Sequence, residues 1–234
     1  MKLMNVALAA VGALATVNAD TPHPVLPTEW RATVNEPEVG VVFESYRMID
    51  KPTPANPSGK WTNFTDGSCQ RLIYDGDLTN NARYLLGCDS VPCCTEEQSG
   101  NHLEYQIPNV HPKFLAPVSN LGKRQVSQQG PDGKPIVTEC DTWTWNFGIG
   151  KWFAYTTNWN KTSNEATLVR WVVSTEGKNF TNDYFDVKTI PGSEESSFAA
   201  SFNVPAICEK AMSCGDANKK GLLKDDKLKF VRGL

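Results

Sequence analysis

The segment Cys140–Trp159, CDTWTWNFGIGKWFAYTTNW, carries the strongest aromatic alternation of the chain and decides its fold. On the first arm tryptophan alternates with threonine, so Trp143, Trp145 and Phe147 share one face of a half-buried strand. The turn Gly148–Gly150 follows, where glycine accepts the positive φ that a β-branched residue resists. The segment is therefore predicted to be a β-hairpin.

The second arm, Lys151–Trp159, alternates with the same period, which places Phe153 and Tyr155 on one face and Trp152 on the other. An aromatic face of this size needs a cover. It is either a packed core, which stabilises a fold by roughly 2 kcal/mol per large side chain, or the lining of a groove for an apolar or sugar-like ligand. In the second case the predicted ligand-binding residues are Trp143, Trp145, Phe153, Tyr155 and, from the next strand, Trp171.

Other alternating runs predict further strands about every ten residues, separated by Gly, Pro and Asp turns. They are Val39–Asp50, Gln70–Tyr74, Ala82–Leu86, Asn101–Ile107, Lys123–Gln128, Pro135–Phe147, Glu165–Ser174 and Phe180–Ile190. No stretch before Asn203 has helical periodicity. The predicted fold class is mainly β: an antiparallel curved sheet or half-barrel meander with little helix, with a closed barrel or a sandwich as the alternatives.

The N-terminal residues 1–19 have the features of a secretory signal peptide. Lys2 is followed by the apolar run Val6–Val17 and a small-residue site, so cleavage is expected after Ala19 and the protein is predicted to be secreted. The run is shorter than the roughly 20 residues of a membrane span, and no later segment is long or apolar enough to supply one. A Pro-rich, irregular lead-in (20–38), one disulfide-stabilised β-rich domain (39–214) and a basic tail (215–234) are expected to follow.

Prolines and cysteines divide the domain into predicted loops. Lys51–Lys60 is expected to be a loop, Cys88–Cys94 a disulfide-stapled loop and Pro108–Pro117 a crossover. The end of the basic tail, Lys219–Leu234, is predicted to be either a short amphipathic helix or a frayed, solvated terminus.

Seven cysteines in a chain bound for an oxidising compartment predict disulfides, with one thiol left over. Vicinal Cys93 and Cys94 are badly placed to bond to each other, so each is expected to reach a different partner. Cys140 is interpreted as a staple that fixes the first arm of the hairpin. The candidates are Cys69, Cys88, Cys93, Cys94, Cys140, Cys208 and Cys214.

Three sequons fit the same export route and predict glycosylation at Asn63, Asn160 and Asn179. The formal charge of −3 argues against nucleic acid as a partner, because such binding depends on clustered Lys and Arg.

The sequence offers little support for catalysis. It has no G-x-S-x-G motif, and its three histidines, His23, His102 and His111, are not visibly paired with a nucleophile. The candidate carboxylate pairs, Glu96 with Glu97 and Glu194 with Glu195, lie in polar loops where solvated surface charge is the ordinary explanation. No metal site and no cofactor are predicted, although Asp75, Asp77 and Asp89 are oxygen ligands of the kind that calcium takes.

Four short motifs resemble the ependymin-related secreted proteins, whose domains are similar to the lipoprotein-carrier half-barrel of LolA. They are QRLIYDGD (Gln70–Asp77), the Cys140 that opens an aromatic strand, NDYFDV (Asn182–Val187) and FNVPAIC (Phe202–Cys208). The resemblance implies an exported, disulfide-bonded and glycosylated protein with a curved sheet around an apolar pocket, and calcium binding in some members. The cysteine cluster Cys88–Cys94, the loop Lys51–Lys60 and the basic tail depart from that family.

These observations favour a secreted, non-enzymatic protein that holds a lipid-like ligand against a Trp-lined concave sheet. A protein that recognises carbohydrate through exposed tryptophans, and a hydrolase with an unrecognised site, are the alternatives. The expected partner is an apolar small molecule or lipid, or else a glycan.

Overall fold

Twelve strands form one open, curved sheet in the computed structural model, which describes residues 24–36, 39–49, 52–75, 81–97, 118–147, 150–162, 165–175 and 178–223. This confirms the predicted fold class. The strands are β1 (Glu29–Glu36), β2 (Gly40–Arg47), β3 (Ser58–Phe64), β4 (Gln70–Asp75), β5 (Asn81–Cys88), β6 (Val91–Glu97), β7 (Ser119–Gln129), β8 (Pro135–Phe147), β9 (Gly150–Thr157), β10 (Thr167–Thr175), β11 (Lys178–Thr189) and β12 (Met212–Ser213).

The sheet consists of two antiparallel meanders joined edge to edge. Strands β1 to β6 form the first and β7 to β11 the second, and the antiparallel pair β1–β11 connects them. The short strand β12 lies parallel to β6 at one end of the sheet, and β7 is at the other end. Since both meanders share one sheet, a face that begins on β8 continues across to β4.

The sheet begins earlier in the chain than the sequence analysis predicts. Residues Glu29–Glu36 lie in the segment expected to be an irregular lead-in, yet they form a strand between β2 and β11. Trp30, Ala32 and Val34 alternate along this strand and are buried. In the sequence, Pro27 and Pro37 fall outside the strand, so no proline interrupts its ladder.

Two predicted loops also contain strands. Strand β3 begins at Ser58, inside the Pro-rich loop, and β6 occupies most of the predicted disulfide-stapled loop and the residues after it. In β6 the half-cystines Cys93 and Cys94 are both buried, so this strand has cysteines on its two faces in place of an apolar–polar alternation.

Two short helices cover different parts of the sheet. Helix α1 (Glu195–Ala200) packs Phe198, together with Phe202, on Leu72 and Tyr74. Helix α2 (Cys214–Lys219) packs Ala217 at the β5–β6 end. The sequence analysis expected no helix before Asn203; with six residues, α1 is too short to display helical periodicity.

All seven cysteines are described, and six of them form disulfides. The pairs are Cys69–Cys88, Cys93–Cys208 and Cys94–Cys214. The prediction that Cys93 and Cys94 reach different partners is confirmed. The interpretation of Cys140 as a staple is wrong, because Cys140 is the free, buried cysteine. It lies in the apolar cluster with Val126 and Val169.

Several predictions fall outside the described residues. They concern the signal peptide, all three histidines, the strand Asn101–Ile107, the crossover Pro108–Pro117 and the tail from residue 224. None of the helices within the described ranges is long and apolar enough to cross a membrane.

Candidate functional site

Tryptophan side chains meet on one face of the sheet where β8, β9 and β10 pair. Trp152 lies directly opposite Trp145, and Ala154 lies between Trp143 and Trp171. Directly paired residues of antiparallel strands project to the same side. We call the set formed by Trp143, Trp145, Trp152 and Trp171 the tryptophan face.

The rings of the tryptophan face pack mainly on one another. The ring centroid of Trp171 lies 5.2 Å from that of Trp145 and 5.6 Å from that of Trp152, both in edge-on geometry. Trp143 meets Trp159 edge-on at 4.7 Å, and its Nε1 donates to Thr156 Oγ1 at 3.0 Å. The four side chains range from fully buried to 5% exposed.

The structure separates the five residues predicted to bind a ligand. Trp143, Trp145 and Trp171 are together, whereas Phe153 pairs with Thr144 and Tyr155 with Thr142 on the opposite side of the sheet. Trp152, which the sequence analysis left out, takes their place. The reason is the register: Gly150 pairs with Phe147 and belongs to β9, so it is not part of the turn. A shift of one residue exchanges the two faces of a strand.

Little of the described chain outside the sheet lies over the tryptophan face. Leu26, ahead of β1, belongs to the same buried cluster, and Trp159 and Val118 contact it. Phe198 of α1 and Ala217 of α2 belong to other clusters. Neither helix of the described ranges therefore covers the tryptophans.

A cluster of charged side chains is buried on the same face, on strands β1 to β4. Ala32, which follows Trp30 on that face, lies opposite Glu44, and Glu44 lies opposite Thr62, which in turn lies opposite Arg71. Lys60 is next to them on β3. We call Glu36, Glu44, Lys60 and Arg71 the ionic cluster; each is at most 9% exposed.

The ionic cluster is centred on one ammonium group. Lys60 Nζ lies 2.6 Å from Glu44 Oε1 and 3.1 Å from Glu36 Oε1. Arg71 Nη2 lies 3.3 Å from Glu36 Oε1 and donates to Thr62 Oγ1 at 3.2 Å. Thr62 donates its hydroxyl to Glu44 Oε1 at 3.0 Å. Two carboxylates are thus matched by two cations within one buried network.

The network shifts the pKa values of the two carboxyl groups in opposite directions. Burial raises the pKa of Glu36, but Lys60 and Arg71 outweigh it and bring that pKa to about 2. Burial raises the pKa of Glu44 and Lys60 opposes it, while the neighbouring Glu36 adds to the rise, so the pKa of Glu44 stays above its ordinary value. Burial also raises the pKa of Tyr46 well above its ordinary value, and its phenol donates to Glu44.

Tyr46 connects the ionic cluster to the aromatic core. Its ring stacks on Trp30 with centroids 3.9 Å apart and an interplanar angle of 14°. Trp30 in turn meets Tyr184 edge-on at 5.8 Å. Apolar and charged parts of this face therefore form one continuous packed layer.

The sequence analysis did not identify the ionic cluster, although a signal was present. Glu44 alternates with Val42 and Tyr46 on the buried face of a predicted strand, where a charge needs a partner. Lys60 was assigned to a loop, which removed the partner strand. A charged residue at a core position of each of two adjacent strands would have indicated the pair.

The geometry of the described acids and thiol does not resemble a hydrolytic site. Glu36 and Glu44 share one lysine, whereas glycosidase carboxylates stand roughly 5 Å or more apart around the substrate. Burial raises the pKa of the Cys140 thiol to about 11, despite the opposing effect of Arg170, so at neutral pH it is not a thiolate nucleophile. Glu194 and Glu195 are exposed, and the side chains of Glu96 and Glu97 lie outside what the structure describes.

The three sequons lie in different settings. Asn63 is near the end of β3, Asn160 is exposed in the turn after β9, and Asn179 is exposed at the start of β11. Of the proposed calcium ligands, Asp89 is exposed, while Asp77 and the Asp75 side chain lie outside the described residues. Among the side chains that are described, no three His, Cys, Asp or Glu residues gather in a metal-holding group, and calcium binding stays a prediction.

Comparison with known proteins gives distant structural likeness alone. No protein-family model and no curated protein matches the sequence. Among solved structures, an outer membrane lipoprotein-sorting protein domain from Vibrio parahaemolyticus is similar over 74% of this chain and 88% of that one, with 8% sequence identity and a TM-score of 0.35. A likeness of this degree gives no information about the ligand. The resemblance to ependymin-related proteins stays a prediction.

Proposed function

We propose that this is a secreted, non-enzymatic binding protein that holds an apolar, lipid-like ligand on the tryptophan face. The observation that carries the proposal is the aromatic layer of Trp145, Trp152 and Trp171 on one face of a curved sheet, on which neither of the described helices packs. The rings are at most 5% exposed, so an apolar ligand would bind between them and exchange ring–ring contact for ring–ligand contact.

Burial of the tryptophans favours an apolar ligand over a sugar. Stacking on sugar rings needs aromatic faces that are open to water, and Trp145, Trp152 and Trp171 are no more than 5% exposed. A lipid chain enters between such rings by displacing their mutual contacts, with no hydrogen bonds left unmade. Three disulfides agree with an oxidising, extracellular environment.

Two adjacent residues give a matched test, because Trp152 and Phe153 project to opposite faces. The protein is secreted from eukaryotic cells and examined by native mass spectrometry with lipid extraction. Binding of oleate and of phosphatidylcholine is then measured by tryptophan fluorescence. Wild type and Phe153→Leu are expected to bind alike, and Trp152→Leu to bind at least ~10-fold more weakly, since about 1.4 kcal/mol of ring contact is lost.

Thermal melts check that each variant is folded, and Trp171→Phe replaces Trp152→Leu if the latter does not fold. A wild-type protein that emerges without lipid and whose fluorescence neither ligand changes would refute the proposal. Equal weakening in Trp152→Leu and Phe153→Leu would place the ligand away from the tryptophan face.

A further inference from the structure

A large apolar side chain is left uncovered in the middle of the sheet. Phe43 of β2 is 53% exposed, although β2 has hydrogen-bonded neighbours on both sides. The ring therefore presents an apolar face to any group attached beside it. The residue directly opposite Phe43 on β3 is Asn63.

The protein's own cover on this side of the sheet lies next to Phe43. Trp61, two residues before Asn63 on the same face, donates its Nε1 to the carbonyl of Ser201, just after α1, at 2.7 Å. Arg31 of β1 lies over the Phe198 ring of α1, with its guanidinium carbon 5.0 Å from the ring centroid. Phe43 takes no part in these contacts. The part of this face that α1 and Ser201 leave uncovered therefore lies beside the side chain of Asn63.

Asn63 is also the acceptor residue of the sequon Asn63-Phe64-Thr65. Thr65 is exposed and donates its hydroxyl to the carbonyl of Val41 at 3.3 Å. Directly opposed residues on neighbouring strands have Cβ atoms roughly 5 Å apart, which brings a group attached to one over the side chain of the other. Of the other two sequons, Asn179 lies opposite Ser174 and Asn160 is in a turn.

We propose that Asn63 carries an N-linked glycan whose innermost N-acetylglucosamine packs its C–H face on the ring of Phe43. The sugar completes the cover that α1 begins, and the other two sequons have no such contact. The inference does not depend on the proposed ligand of the tryptophan face.

The modification is a glycosyl transfer without oxidation or reduction. The Asn63 side-chain nitrogen forms a bond to the anomeric carbon of the sugar, and the bond between that carbon and the pyrophosphate of a lipid-linked oligosaccharide donor breaks. The amide proton leaves with the lipid pyrophosphate. The sequon threonine belongs to the acceptor signal that the secretory pathway recognises.

The protein secreted from eukaryotic cells is tested with four sequences: wild type, Asn63→Gln, Phe43→Ala and the double variant. Glycopeptide mass spectrometry is expected to find Asn63 occupied. Asn63→Gln and Phe43→Ala are each expected to lower the melting temperature by about 2–4 °C. In the double variant the two losses should not add, because both remove one contact. Trimming each glycan to a single N-acetylglucosamine should leave the melting temperature unchanged.

Two controls isolate the contact. Asn179→Gln removes a sugar away from Phe43, and Val137→Ala truncates a side chain that is 64% exposed on β8; both should shift the melting temperature by less than 1 °C, since surface changes are nearly neutral. If Asn63→Gln is not secreted, Thr65→Ala removes the same glycan. An unmodified Asn63, additive losses, or a Phe43→Ala variant that behaves like Val137→Ala would overturn the proposal. So would a concentration-dependent dimer that Phe43→Ala abolishes, since a second copy would then cover the ring.

Discussion

Lys60 and Glu44 form a buried ion pair, with Lys60 Nζ 2.6 Å from Glu44 Oε1 and side chains that are 3% and 0% exposed. Removing two charges from water is unfavourable, and their attraction compensates only when further hydrogen bonds satisfy both groups. Here Thr62 and Tyr46 both donate to Glu44, and Glu36 gives Lys60 a second acceptor. The surrounding network therefore stabilises the pair, and the loss of one member would leave a buried charge without its partner.

The first prediction concerns the loss of the ammonium group. Lys60→Met keeps the length of the side chain and leaves Glu44 and Glu36 buried with only Arg71 as a cation. The free energy of unfolding, measured by urea titration at pH 7, is expected to fall by about 3–5 kcal/mol. The exposed pair Lys123–Glu139, at 2.8 Å with both side chains more than half exposed, supplies the control. Lys123→Met should leave stability nearly unchanged, because exposed ion pairs contribute little, and equal effects of the two variants would contradict the role given to burial.

The second prediction is a pH dependence from Glu44. Its folded pKa lies above the ordinary 4.5, so the stability it contributes is fully present below pH 4.5 and is lost as pH rises through the folded pKa. The stability advantage of wild type over Glu44→Gln should therefore shrink as pH increases from 4.5 to 8. Chemical denaturation of both proteins across this range measures it, and an advantage that grows with pH would show the opposite shift.

The third prediction concerns Glu36, for which the pH dependence of stability has the opposite sign. Its pKa falls from 4.5 to about 2 on folding, so its contribution is present above pH 4.5 and is lost as pH falls toward 2. The shift corresponds to on the order of 3 kcal/mol. The stability advantage of wild type over Glu36→Gln should decline as pH falls from 4.5 to 2. The advantage of wild type over Glu44→Gln should not decline over this range. Parallel behaviour of the two variants would mean that the carboxyl groups titrate alike.

The fourth prediction tests the contact between the sheet and the segment after α1. A Cβ atom on Gly59 would lie 2.7 Å from the Ile73 carbonyl oxygen and 2.8 Å from Phe202 Cδ1. Because the first of these is backbone, Gly59→Ala must displace β3 or β4 and should lower stability by about 1–3 kcal/mol. Gly192→Ala is the matched control, since nothing lies within 4 Å of its Cβ position. A neutral Gly59→Ala would show that this packing is loose.

How much the sequence predicted depends on the range over which each signal acts. The dense alternation of Trp143 and Trp145 with threonine identifies β8 from neighbouring residues alone. The partner face of β9 depends on where the turn ends, and counting Gly150 in the turn moved Phe153 and Tyr155 to the wrong side. Such parity errors reverse every side chain of a strand while leaving the strand itself correctly predicted.

The ionic cluster could not be predicted from neighbouring residues for another reason. Glu36 and Arg71 are 35 residues apart and meet only because β1 to β4 pair in register through the two intervening strands, β2 and β3. No local periodicity reports such a contact. The disulfides are a similar case: the sequence predicts that Cys93 and Cys94 bond separately, but their partners lie 115 and 120 residues away.

Those two long disulfides lead to the last prediction, which is non-additivity. Cys93–Cys208 and Cys94–Cys214 enclose nearly the same loop. Once one is closed, the other closes only about seven further residues, so removing either one should lower the free energy of unfolding by about 2 kcal/mol in the chain-entropy model. Removing both frees the whole loop and should lower it by about 7 kcal/mol.

The double variants Cys93→Ala/Cys208→Ala and Cys94→Ala/Cys214→Ala, and their combination, are compared by denaturation without reductant. The Cys69–Cys88 pair, whose cysteines are 19 residues apart, closes a different loop and is the control. Its loss should add to that of Cys93–Cys208, whose cysteines are outside the buried cluster that contains Cys69 and Cys88. If the two long bridges are instead additive, each must stabilise its own local contact, and then the shared loop is not what they restrain.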